Sequence, residues 1–212
     1  MVQAPSPPGA VRPVLAVLGA AFLWAARSPP AAGGVSQRTV EQAYWVSGTT
    51  PQELVGFMVR HPTRGDHGAA WANIRPDFRL SLRTRQHGGC AVSRVDLHID
   101  FTMTLPRGRS EGTMGRQTRK LWRSFAKFAR NHEFGHRRIY LDCAKAFAAR
   151  ARKLPPMASC HGLQAAANQL MRSQMAACEP KHQAFDRREA GRLRSHPLLR
   201  AAKSSASGAQ IP

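Results

Sequence analysis

From Gln117 to Leu154 the chain carries no proline and repeats its buried-type residues at three- and four-residue steps. Leu121, Phe125, Phe128, His132, His136, Ile139, Cys143 and Ala146 fall on one stripe. This spacing predicts one long helix stopped by Pro155-Pro156, with a break or kink near Asn131 because the run exceeds ordinary globular length. The rest of the chain must then supply apolar partners for that stripe.

The stripe also carries chemistry. His132-Glu133-Phe134-Gly135-His136 is a His-Glu-x-x-His pattern. Four residues make about one helical turn, so both imidazoles reach one point, and neutral imidazoles suit zinc. Glu133 is placed to act on a zinc-bound water as general base. With 9 His and 6 Glu in 212 residues, chance supplies about 0.01 such matches. Gly135 weakens the helix but lets another segment or a ligand come close.

Residues 1–34 read as an export signal, or as an N-terminal anchor if retained. Arg12 precedes an apolar run from Val14 to Ala26, and small residues follow at Ala31-Ala32-Gly33. The run is short for a membrane span, and no second run of spanning length follows. Secretion or export to the periplasm would place Cys90, Cys143, Cys160 and Cys178 in an oxidising compartment, where an even count suggests two disulfides. No Cys-x-x-Cys pair points to a cysteine-based metal site.

The net charge is +20, and Arg outnumbers Lys 26 to 6. Such a balance attracts anionic surfaces and polymers without a dedicated site. The charges are spread along the chain with few interleaved aromatics, so a solvated basic surface is expected rather than a specific nucleic-acid interface.

In chain order, Val40–Ser47 reads as a strand. A short helix follows, with Thr50 as cap, Pro51 at its first position and Glu53 completing a capping box. Arg64-Gly65-Asp66 sits in a polar loop. Phe78, Leu80 and Leu82 alternate with polar residues, as do Val95, Leu97, Ile99, Phe101, Met103 and Leu105. With a turn at His87-Gly88-Gly89 these form an antiparallel hairpin, apolar on one face, with His98 and Asp100 on the surface face. After the motif helix a second runs from about Cys160 to Glu189, kinked at Pro180. Residues 192–212 read as a disordered basic tail.

Together, Tyr44-x-Val46-x-Gly48-Thr49-x-x-x-Leu54, Cys90-x-Val92, Leu105-Pro106, Trp122, His132-Glu133-x-Gly135-His136, Ser159-Cys160-x-x-Leu163 and Phe185-Asp186 follow one order. That order resembles a bacterial family of unknown function described as predicted secreted zinc-dependent proteases. The likeness covers roughly residues 38 to 190, and the His-Glu segment is its specific part. It implies an exported protein with a zincin-like site. Where the family continues with Thr-x-His-Gly, this chain has Glu189-Ala190-Gly191-Arg192.

The resemblance carries Cys90 and Cys160 together, which implies Cys90–Cys160 and Cys143–Cys178 bridges. The second would hold two antiparallel helices in register, with His136 opposite Phe185. The resemblance, through Phe185-Asp186, also implies Asp186 as the preferred third zinc ligand; His182, Glu179 and Glu189 stand nearby. Asp142, ten residues after His132, has the metzincin spacing. However, Ile139 stands where that layout needs a sharp turn, and a continuing helix leaves Asp142 about 80° off the His face.

The reading is an α+β, zincin-like domain over residues 35–191, an antiparallel sheet packed on the motif helix plus a C-terminal helix. The expected activity is zinc metallopeptidase, with His132, His136 and Asp186 as ligands and Glu133 as catalytic base. Peptide or protein is the substrate, aligned by an edge strand, and Tyr140 is one candidate oxyanion donor. Two alternatives are a non-catalytic zinc-stabilised protein and a basic binding protein for the cell envelope or nucleic acid.

Overall fold

The computed structural model describes residues 33–65, 68–86 and 88–207; nearly all of the expected signal or anchor segment lies outside them. Strand β1 (Val35–Val46) leads into helix α1 (Pro51–Arg60), a small hairpin β2 (Thr63–Gly65) and β3 (Gly68–Ala70), and the long strands β4 (Asn73–Gln86) and β5 (Cys90–Gly108). Four helices follow: α2 (Arg116–Ala151), α3 (Cys160–Ala176), α4 (Glu179–Arg194) and α5 (Pro197–Ser207). The fold is α+β.

The main sheet has the order β1-β5-β4. The expected hairpin is present: β4 and β5 are antiparallel from Asn73↔Thr104 to Gln86↔Cys90. Gly88 and Gly89 take positive φ in its turn, at 63° and 151°. The wholly antiparallel sheet is not found. β1 runs parallel to β5, from Val35↔Leu97 to Val46↔Gly108. Strand direction is set by the connection, and the segment between β1 and β4, with its helix and hairpin, is long enough for a crossover. Nothing in β1's own residues carries that information.

Helix α1 starts as its sequence requires. Thr50 accepts the Glu53 N–H at 3.3 Å, while the Glu53 carboxylate accepts from the N–H groups of Thr49 (2.7 Å) and Thr50 (3.2 Å). The Thr49 N–H is the largest influence holding the Glu53 carboxyl below its ordinary range.

β5 buries Val95, Leu97, Ile99, Phe101, Met103 and Leu105 against Ala144, Phe147, Ala148 and Ala151 of α2. Its other face is polar. His98 bonds Ser36 at 2.8 Å and Asp100 at 3.3 Å, and Arg79 pairs with Asp100, so these are surface groups as read. A second cluster joins Val46, Leu54, Met58, Trp122 and Phe125 to Leu198 and Leu199. Helix α2 spans both clusters, with Trp122 and Phe125 buried in the second and Ala144 to Ala151 in the first; His132 and His136 lie between those buried residues.

Three helix expectations are corrected. α2 is one uninterrupted helix with no break at Asn131. The predicted 160–189 helix is two, because Pro180 cannot donate to residue 176; it sits instead in the first turn of α4. The disordered tail is corrected over 192–207, where α4 continues to Arg194 and α5 follows. Leu198 and Leu199 are buried in the second cluster, and His196 Nδ1 accepts the Leu198 N–H at 3.2 Å. Two leucines in an Ala-, Ser- and Arg-rich stretch suffice because both reach one groove. No described helix is long and apolar enough to cross a membrane.

Candidate metal centre

Both sequence-predicted imidazoles and the predicted carboxylate come together. His132 Nε2 and His136 Nε2 are 3.1 Å apart, and Asp186 Oδ1 lies 3.2 Å from the first and 2.9 Å from the second. These three ligand atoms fall within 4.8 Å of one another. α2 supplies the histidines one turn apart, and α4 supplies Asp186.

Three devices set that geometry. The Cys143–Cys178 disulfide joins α2 seven residues past His136 to the residue that precedes α4. Gly135 lets α4 approach: a Cβ there would lie 2.7 Å from Phe185 Cε1 and 2.9 Å from Cε2, closer than real Cβ atoms come. The Phe185 ring stacks on His132 (centroids 4.9 Å, 29°) and meets His136 edge-on (5.0 Å, 83°). Third, His136 Nδ1 is 2.9 Å from Nδ1 of buried His182. With His136 donating there, its Nε2 keeps a lone pair toward Asp186 and His132. Cys90–Cys160, the other disulfide, ties β5 to the start of α3.

Burial dominates the imidazole electrostatics. It outweighs the raising effect of Asp186 and holds His132 below its ordinary pKa, and it lowers His136 to about 4. Both rings are therefore neutral near pH 7, the form a metal needs.

The other proposed ligands stand elsewhere. His182 lies behind His136 and is a support rather than a third ligand. Asp142 is 74% exposed and near Lys145 (3.9 Å), because α2 continues past it. Glu179 accepts from Gln183 at 3.3 Å. Glu189 is held by Arg192 at 2.9 and 3.2 Å, although its charge reaches His132. None of these four belongs to the cluster.

Glu133 is 4% exposed and borders a cleft of about 480 Å³ that His132, Asp186 and Glu189 also line. Its apolar wall is Trp71, Phe125, Phe128, Ala129, Ala190 and Leu193. No pattern in the sequence marks this wall as a unit. Its parts come from three separate segments, and only Phe125 and Phe128 carried a signal, as members of the α2 stripe. Glu189 and Ala190, where the chain departs from the Thr-x-His-Gly pattern, are part of the lining. Tyr140 is not; it packs on His182 (4.2 Å), Phe101 and Phe78.

Fold and cluster together define an α+β protein with a His-His-carboxylate cluster shared between the long helix α2 and α4. The chain belongs to a family described as bacterial protein of unknown function (DUF922), whose family model matches residues 41–193. No curated protein and no solved structure matches it.

Proposed function

We propose that this protein is an exported zinc-dependent peptidase with a zincin-like centre formed by His132, His136 and Asp186. The observation that carries the reading is the convergence of two neutral imidazole nitrogens and one carboxylate oxygen, with Glu133 buried beside them in an open cleft. Zinc bonds of about 2.0–2.1 Å in a tetrahedron put ligand atoms about 3.3 Å apart, and the separations here are 2.9 to 3.2 Å. Two imidazoles and a carboxylate leave the fourth position for water, as catalytic zinc requires.

Bound zinc would supply Lewis acidity and lower the pKa of a water. The chain's own groups do the rest. Glu133 takes the proton from the attacking water and returns it to the leaving amine. His136 is held in its tautomer by His182, and Phe185 fixes both imidazole planes. Peptide or protein is the substrate class.

The two disulfides support an oxidising compartment, periplasmic or extracellular. The net charge of +20 favours residence near anionic surfaces or polymers. In the non-catalytic alternative a fourth protein ligand would close the site; among the described residues the cluster has three.

The test is Glu133→Gln in the disulfide-bonded protein. Peptide hydrolysis should fall by at least about 100-fold, as loss of a general base does, while zinc content stays at the wild-type level. Full activity with zinc bound would contradict the mechanism.

A further inference from the structure

We infer that the cleft beside the centre is a subsite for one bulky apolar side chain of the substrate, next to the bond that is cut; this rests on the peptidase reading. About 480 Å³ falls within the range of small-ligand pockets. Its wall begins at the centre itself, because Phe128 stacks on the His132 ring with centroids 6.4 Å apart and planes at 27°. Phe125 continues it along α2, and Trp71 packs on Phe125 at 5.9 Å from the segment entering β4. Ala190 and Leu193 close the α4 side. A side chain held here is therefore carried by a residue close to the metal.

Charge narrows the class further. The chain has 26 Arg and 6 Lys, yet among the described residues neither type lines this cleft. An acidic side chain would meet no lining Arg or Lys and would face the carboxylates of Glu133, Asp186 and Glu189, with Arg192 already paired to Glu189. A basic one would find Glu189 already held by Arg192, and would lose its hydration against Trp71, Phe125 and Phe128. Leu, Met or Phe gives up no charge hydration by entering and removes apolar wall from water. Pockets of this kind discriminate by roughly 10- to 200-fold per methylene.

The experiment uses blocked peptides that differ at one position: Phe, Leu, Ala, Asp or Lys. Dissociation constants are measured by calorimetry on zinc-loaded Glu133→Gln protein, and cleavage sites by mass spectrometry with wild type. Phe and Leu peptides should bind at least tenfold more tightly than Ala, and Asp and Lys peptides more weakly than Ala. Cleavage should fall beside the apolar residue. Ala190→Phe, which fills the cleft from α4, should erase the Phe-over-Ala preference with zinc content unchanged. Should that variant fold poorly, the comparison among peptides stands without it. Equal affinities across the series, or a preference that survives cleft filling in a folded variant, would overturn the subsite. A retained binding preference with no cleavage of any peptide would instead count against the peptidase reading and leave the cleft as an apolar side-chain binding site with no bond to cut beside it.

Discussion

The Phe185 ring occupies the space that any side chain on Gly135 would need, with ring carbons 2.7 and 2.9 Å from where a Cβ would sit. This pairing seats α4 against α2 and brings Asp186, the next residue, to within 2.9 Å of His136. Gly135→Ala should improve helix propensity yet lower stability by about 1–3 kcal/mol through overpacking. It should also weaken zinc binding at least tenfold, read by chelator competition. Unchanged affinity would show that Phe185 does not set the position of Asp186.

His182 is buried behind His136, Nδ1 to Nδ1 at 2.9 Å. Removing the support of a metal-bound imidazole typically costs about 10- to 100-fold in affinity. His182→Ala should show that loss, and His182→Asn, which keeps an acceptor, should recover part of it. Equal losses in both variants would mean the ring acts by packing alone.

The Cys143–Cys178 bridge closes a separation of 35 residues. Chain entropy values such a closure at about 4 kcal/mol. Replacing both cysteines by serine should lower the denaturation midpoint and weaken zinc binding, since this bridge ties the two ligand-bearing segments. Removing Cys90–Cys160, which lies between β5 and α3, should lower stability while disturbing zinc affinity far less. Similar affinity losses from both would contradict the division of labour.

What was legible in the sequence was local and periodic. The His132–His136 spacing, the Thr50–Glu53 box, the alternation along β5 and the stop at Pro155 each sit in one stretch of chain, and each is present. Asp186 and the disulfide pairing came through the resemblance, because residues far apart in sequence carry no spacing signal. The parallel direction of β1 and the cleft wall from Trp71 to Leu193 depend on connections and on long-range packing. The order of the 197–207 segment is not legible because Leu198 and Leu199 are only two apolar residues, and their partners Leu54 and Met58 lie in α1, far back in the chain.

Leu198 is fully buried against the second cluster, so Leu198→Ala should cost about 2–5 kcal/mol in denaturant unfolding. A cost near zero would return this segment to a tail.

The measurement that bears most directly on the account is zinc content by elemental analysis of the purified, disulfide-bonded protein, wild type beside His132→Ala and Asp186→Ala. One zinc per chain in wild type, lost in the first variant and lost or weakly held in the second, is the predicted result. No zinc in correctly oxidised wild-type protein, or full retention in Asp186→Ala, would contradict the centre described here.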